Sequence, residues 1–311
     1  MLTRTSVCAM ALVAAGLAQA NPERWQLNMT PGVTETSMRV QWLHNFTLGI
    51  CVVIGILVFG AMAVAMFRFR KSKGAVAAQF SHNTVAEIIW TVIPVLILIA
   101  MAIPATNTLF RMYDTRESQM TVKVTGYQWL WQYEYLGGKP GENVQFTSRL
   151  ARSSDETRQL GSGLDPYAVK VGKVNTYLLD VDHPLVLPVD TKIRFVITAD
   201  DVIHAWWVPM LGWKQDAIPG QINEAWTEIK KPGTYRGQCA ELCGKDHGFM
   251  PIVVKAVPKA EFQTWMAAQR GAADAARAAS VASVMPAPTP AAAPVAAPVV
   301  ALPADAPTAN R

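Results

Sequence analysis

Residues 238–251 read Gln-Cys-Ala-Glu-Leu-Cys-Gly-Lys-Asp-His-Gly-Phe-Met-Pro, placing two thiols, an imidazole and a thioether within twelve residues. Their order is Cys239, Cys243, His247, Met250. Soft sulfur beside imidazole selects copper or zinc over hard cations. Zinc sites take Cys and His and rarely recruit Met, so Met250 tilts the choice towards copper. A mononuclear blue-copper site has one Cys, a nearby His, a weak axial Met and a second His from an earlier strand. Here the Cys is doubled. Two thiolates four residues apart on one loop can bridge a pair of coppers, and each copper then needs its own His. The best upstream candidate is His204, in Asp-Asp-Val-Ile-His-Ala-Trp-Trp. Taken singly, these residues have plainer readings: a disulfide in an oxidising compartment for the Cys pair, a satisfied core histidine, a packed Met. All of them together, in this order and spacing, favour the metal.

The elements that must position this loop are legible in composition. At 311 residues the chain has room for two domains. A net charge of +5 with 51% hydrophobic residues gives no sign of nucleic-acid binding. Cys8 and Cys51 lie in apolar runs, so the motif holds the only thiols of the polar part. Residues 1–20 carry Arg4, an apolar core and a small-residue end at Ala18-Gln19-Ala20, the pattern of a secretory signal peptide. Next comes a periplasmic segment, 21–43. Residues 46–67 and 88–110 carry no charge and are long enough to cross hydrocarbon, predicting transmembrane helices over 44–67 and 87–110. Pro94 and Pro104 in the second run are better tolerated in a membrane helix than in a soluble one. The loop over 68–86 holds Arg68, Arg70, Lys71 and Lys73, which places it in the cytoplasm and the rest of the mature chain outside.

Residues 111–270 form the second domain. Stretches 121–135, 168–181, 191–198, 224–229 and 251–257 are rich in Val, Ile, Thr and aromatics between Gly, Pro and Asp, predicting an antiparallel sandwich or Greek-key barrel. The polar, Gly- and Ser-containing stretch 137–166 reads as a surface insertion, and 258–270 as a short amphipathic helix with Phe262, Trp265 and Met266 on one face. Residues 271–311, dominated by Ala, Pro and Val, read as a disordered tail without a Cys-x-x-Cys-His haem motif. In 127–135, strand periodicity aligns Tyr127, Trp129, Trp131, Tyr133 and Tyr135 on one face, which by itself describes a buried aromatic face. Residues 111–270 contain 19 Lys or Arg and 18 Asp or Glu, a balance that gives no bulk steering of a basic partner.

Three motifs together carry a family resemblance: Asp201-Val-Ile-His204, Lys214-Gln-Asp-Ala-Ile-Pro-Gly220 and the Cys239–Met250 loop. They resemble subunit II of bacterial haem–copper cytochrome c oxidase, aa3-type-like and copper A-containing, over about residues 40–265. The resemblance implies a membrane α hairpin of two transmembrane helices plus an all-β cupredoxin Greek-key domain in the bacterial inner membrane, with the copper domain in the periplasm. It implies a binuclear copper A centre held by His204, Cys239, Cys243, His247, Met250 and the Glu241 carbonyl. The Glu241 carboxylate would reach a magnesium or manganese ion shared with subunit I. Electrons from cytochrome c would arrive at Trp129 and pass to a haem-containing subunit I that reduces oxygen, with subunit III a further partner. Glu134, Asp200 and Asp201 match acidic positions for docking cytochrome c. Tyr127 and Leu130 depart from the His and Tyr that the family often has. Glu87, in Val85-Ala-Glu87-Ile-Ile-Trp90, matches a carboxylate at the mouth of a proton path, against the plainer reading of a helix-end anchor. Quinol-oxidase subunits II lack the copper ligands. A membrane-anchored copper chaperone or storage protein would favour exposed, exchangeable sites, and the copper A domain of nitrous oxide reductase is normally joined to a large second domain.

Overall fold

The computed structural model describes residues 18–20, 26–137, 143–155 and 176–284. Two long helices come first, α1 over Glu35–Arg68 and α2 over Thr84–Met112. Both overrun the predicted spans, because each carries polar turns beyond its apolar run. At about 1.5 Å per residue they are roughly 51 and 44 Å long. Their apolar side chains point outward: Leu57, Phe59 and Ile103 are each at least two-thirds exposed. So large a bare apolar surface belongs in lipid, and the two helices fit a transmembrane hairpin.

Both outer ends of the hairpin are tied to the β domain. Thr34 caps α1: its Oγ1 accepts from Ser37 N, and the Ser37 hydroxyl accepts from Thr34 N. The Thr34 hydroxyl also donates to Leu211 O at 2.8 Å. Val33 N donates to Met210 O, and Lys230 N to Val33 O. At the end of α2, Trp226 Nε1 donates to Arg111 O at 2.9 Å.

The second domain is a pair of mixed sheets. One has the order β4 (Val144–Ser148), β3 (Leu130–Leu136), β2 (Met120–Tyr127), β6 (Ile193–Ala199), β9 (Asn223–Thr227). The other runs β5 (Leu185–Pro188), β11 (Pro251–Val257), β10 (Gly233–Cys239), β7 (His204–Val208), β8 (Trp213–Ala217). Alternate residues of β6 and β10 are buried, so each strand turns one face inward. Between the sheets lie Trp131, Tyr133, Phe195, Trp206, Tyr235 and Ile252, all fully buried. The domain is all-β on a membrane hairpin, as expected, but not wholly antiparallel: β2 pairs parallel with β6, and β5 with β11. A short strand β1, Ala18–Ala20, pairs parallel with β10; it lies in the segment expected to be removed as a leader, most of which is outside the described residues.

Four local expectations change. Residues 121–135 are two strands, broken by a turn at Gln128–Trp129 whose peptide is cis. The expected insertion contains β4, because Val144 and Phe146 extend the sheet beside Tyr135 and Tyr133. Of 168–181, residues 168–175 are outside the described residues and 176–179 form a turn. The helix expected over 258–270 is α3, Lys259–Val284, and runs into the stretch read as tail. Its extension is Ala-rich, and Ala is the strongest helix former. Residues 285–311 lie outside the described residues.

Thr34→Val keeps the shape of the N-cap but removes its hydroxyl bonds to Ser37 and Leu211. Thermal unfolding of the detergent-solubilised chain should show a loss of about 1–2 kcal/mol. An unchanged Tm would mean that this cap does not couple the hairpin to the sheets.

Candidate metal centre

The site is assembled from two neighbouring strand ends and one loop. His204 opens β7, Cys239 closes β10, and the loop 240–250 returns to β11. Trp206 pairs with Cys239 across β7 and β10, which sets His204 beside the first thiol. Loop closure is by backbone: Cys239 N donates to Met250 O at 3.1 Å and Ala240 N to Ala205 O at 3.0 Å.

Within this frame the donors converge. The two sulfurs are 3.8 Å apart and both thiols are free, so no disulfide forms. The Sγ of Cys239 stands 4.0 Å from His204 Nδ1, and that of Cys243 stands 3.5 Å from His247 Nδ1. Each thiol thus has its own imidazole. The Met250 Sδ is 4.0 Å from Cys243 Sγ, and the Cys239 thiol donates to Glu241 O at 3.4 Å. The ligand atoms of His204, Cys239 and Cys243 all lie within 4.8 Å of one another. All three residues are buried, as is Met250, while the Glu241 carboxylate is exposed. Buried thiol and imidazole donors without a polar purpose in the core fit a soft metal.

The electrostatics point the same way. Burial opposes ionisation of Cys239, but hydrogen bonds from His204 and from backbone N–H groups outweigh it and lower its pKa to about 7. Burial pushes Cys243 up to about 12, and the charge of Cys239 beside it adds to the rise. The first thiolate therefore opposes the second, and a bound cation is what would let both ionise.

The supports of the site are only partly legible in sequence. Asp201, expected among the docking acids, accepts from His204 Nε2 at 2.9 Å and from Gln128 N at 2.6 Å, and is exposed. Burial alone would raise its pKa, yet those bonds and one from Val202 N hold it below the usual carboxylate value. A carboxylate can only accept, so Nε2 carries a proton, and Nδ1 faces the thiol. Burial pulls the His204 pKa down, and the bonds to Cys239 and Asp201 more than restore it. Asp200 remains exposed and takes the Tyr127 hydroxyl, which pushes the phenol pKa up to about 12. Glu134 accepts from Asn143 Nδ2 at 2.8 Å. Two glycines serve close approach: a Cβ on Gly126 would stand 2.8 Å from His204 Cδ2, and one on Gly244, at φ +117°, would stand 3.1 Å from Trp129 Cζ2.

Trp129 does not lie on the buried face with Trp131, Tyr133 and Tyr135. It caps the turn, part-exposed, and its Nε1 donates to Cys243 O at 3.2 Å. Gln128 Nε2 donates to the same carbonyl at 2.8 Å, a contact with no sequence signal. Beside Trp129 is a cleft of about 200 Å³ lined by Arg149, Leu150, Asp155, Asp246 and Phe249. Glu87 lies far along the chain at the start of α2. Its Oε1 accepts from Asn83 N at 3.2 Å while Asn83 Oδ1 accepts from Ala86 N, a reciprocal cap.

Fold and site together define a membrane-anchored β domain with a buried cluster of sulfur and imidazole donors that could hold a soft metal. Comparison with known proteins sharpens this. Residues 120–257 match the family described as cytochrome C oxidase subunit II, periplasmic domain, and residues 22–107 match its transmembrane domain. The chain is 41% identical over 248 residues to a probable cytochrome c oxidase subunit 2 of Rickettsia prowazekii, covering 80% of this chain and 74% of that one. It is 34% identical over 282 residues to cytochrome c oxidase subunit 2 of Cereibacter sphaeroides, covering 87% and 92%. A crystal structure of the periplasmic domain of subunit II of cytochrome oxidase from Bradyrhizobium japonicum is 37% identical, covering 50% of this chain and 97% of that one, with a TM-score of 0.41. The chain belongs to the cytochrome c oxidase subunit II family, as a membrane protein with a periplasmic domain that forms part of this terminal oxidase.

Asp201→Asn keeps the size of the side chain but removes its charge. Affinity for copper, measured by competition with a chelator, should fall roughly 10–100-fold. Unchanged affinity would assign Asp201 to the surface alone.

Proposed function

We propose that this chain receives electrons from cytochrome c at Trp129 and relays them through a binuclear copper A centre to the haem-containing subunit I. The observation that carries this reading is the pairing of two buried thiols, each with its own imidazole, under a carbonyl that is hydrogen-bonded to a part-exposed Trp. His204, Cys239, Cys243, His247, Met250 and the Glu241 carbonyl are the residues that would hold the metal pair. Copper held there would supply a one-electron redox couple. The protein's own part is to hold still and stay dry. Asp201 fixes the His204 ring, Trp131 packs edge-on against it at 5.9 Å, and burial keeps water from the thiols. A donor set fixed in this way needs little rearrangement when charge changes, which is what fast electron transfer requires.

The remaining assignments rest on the same placement. Trp129 joins the surface to Cys243 by one hydrogen bond, and the adjoining cleft, together with Asp200 and Asp201, offers cytochrome c a mixed-charge landing site. Glu134 remains a docking acid in this proposal, farther from the turn. The exposed Glu241 carboxylate, beside a site of soft donors, suits a hard magnesium or manganese ion completed by subunit I. The hairpin lies in the bacterial inner membrane with the basic loop 68–86 in the cytoplasm, against subunits I and III. Glu87, at the cytoplasmic end of α2, collects protons for subunit I in addition to capping its helix.

In stopped-flow mixing with reduced cytochrome c, Trp129→Phe should slow electron uptake by roughly tenfold or more, an added barrier of at least about 1.4 kcal/mol. Copper content and spectrum should be retained; parallel loss of copper and rate would make Trp129 a packing residue only. Glu87→Gln retains an acceptor for Asn83 N but cannot carry a proton. In the assembled oxidase it should lower steady-state oxygen reduction while copper reduction stays fast, and unchanged turnover would leave Glu87 as a cap alone.

A further inference from the structure

At the outer end of the hairpin, a set of residues outside the metal centre forms a site of another kind. Arg39 Nε and Nη2 both donate to Glu35 Oε1, at 2.9 and 2.7 Å, and Arg111 Nη1 approaches the same oxygen at 3.6 Å. One carboxylate thus faces two guanidinium groups, leaving a net charge of +1. Arg39 Nη1 and Arg111 Nη2 have no acceptor among the described residues, and the Arg111 side chain is 56% exposed. Beside these groups, α1 and α2 part to leave a groove of about 360 Å³ lined by Met38, Trp42, Pro104, Asn107 and Thr108. Trp42 stacks on Phe46 with centroids 5.3 Å apart.

The groove lies astride the hydrocarbon boundary. Pro104 belongs to the charge-free run 88–110, whereas Glu35 and Arg39 precede the run 46–67 by at least a turn of helix. Trp at this level is the usual membrane-interface anchor. The site therefore has a cationic, planar, two-armed head above an apolar floor, in the leaflet that faces the metal domain. Guanidinium pairs of this geometry match phosphate oxygens, and the apolar floor matches an acyl chain. Resting on the reading of α1 and α2 as a transmembrane hairpin, we propose that this groove binds one anionic phospholipid of the outer leaflet, its phosphodiester on Arg39 and Arg111 and one acyl chain along Trp42 and Pro104.

The test uses the full chain, purified from membranes in neutral detergent and titrated with phosphatidylglycerol or phosphatidylcholine, with retained lipid counted by native mass spectrometry. Phosphatidylglycerol should be held at least tenfold more tightly than phosphatidylcholine. Arg111→Gln, which leaves the Arg39–Glu35 pair in place, should remove most of that preference, and Arg39→Gln/Arg111→Gln all of it. Arg68→Gln, at the opposite end of α1, should leave it intact. Equal affinity for the two lipids, or an undiminished preference in the double variant, would overturn the site. So would loss of the bound lipid on assembly of the oxidase, because an acidic loop of a partner subunit would then be the occupant. Release of the chain from membranes by alkaline carbonate would overturn the hairpin reading and the site with it.

Discussion

Two buried thiols whose sulfurs lie 3.8 Å apart cannot both ionise in a low-dielectric interior without a cation to hold them. Much of the periplasmic domain can be understood as the means of keeping that pair together despite the repulsion. The first thiol is fixed by a strand end, the second by a loop closed on β7 through Ala205 O and on its own end through Met250 O. The imidazole beside the first thiol is turned by Asp201, and the carbonyl of the second takes two donors from the 128–129 turn. Each contact by itself is worth about 1 kcal/mol. Their joint effect is geometric: a donor set already in place, so that a bound metal would offset the charge repulsion without the added cost of ordering a loop.

The same turn links the chemistry to the surface. Gln128 bonds to Asp201 by its backbone and to Cys243 O by its side chain, so one residue touches the supports of both thiols. Trp129 comes immediately after and is a part-exposed aromatic group in direct contact with the cluster's backbone. Farther down, Thr34 and Trp226 fix the sheets to the hairpin through Leu211 O and Arg111 O. In the proposed relay, these two hydrogen bonds would help to set the distance and orientation between the donor side and the membrane.

The candidate metal ligands are legible in sequence because four side-chain donors fall within residues 239–250, where spacing alone limits what they can reach. His204 is legible through its flanking Asp and Trp residues. The charge-free runs announce the hairpin by length. The hidden features depend on contacts between distant segments. Nothing in Tyr-Gln-Trp-Leu marks a turn, since the break at 128 is held by Cys243 O, some 115 residues on. Asp200 and Asp201 look alike in sequence and both are exposed, yet one takes the Tyr127 hydroxyl and the other the His204 ring. β4 is masked because its neighbours are polar and its partner strand resembles part of one long run. The end of α3 is masked because Ala beside Pro in composition suggests a tail, although the Ala-rich half precedes the prolines.

The central claim is that the paired thiols hold two metals that share one electron. The most direct measurement combines copper counted per folded, fully loaded chain with electron spin resonance of the oxidised protein. The account predicts a pair of coppers and hyperfine splitting by two equivalent nuclei, both abolished by Cys243→Ser. One copper per chain, or splitting by a single nucleus, would contradict it and reduce the centre to a mononuclear cupredoxin site.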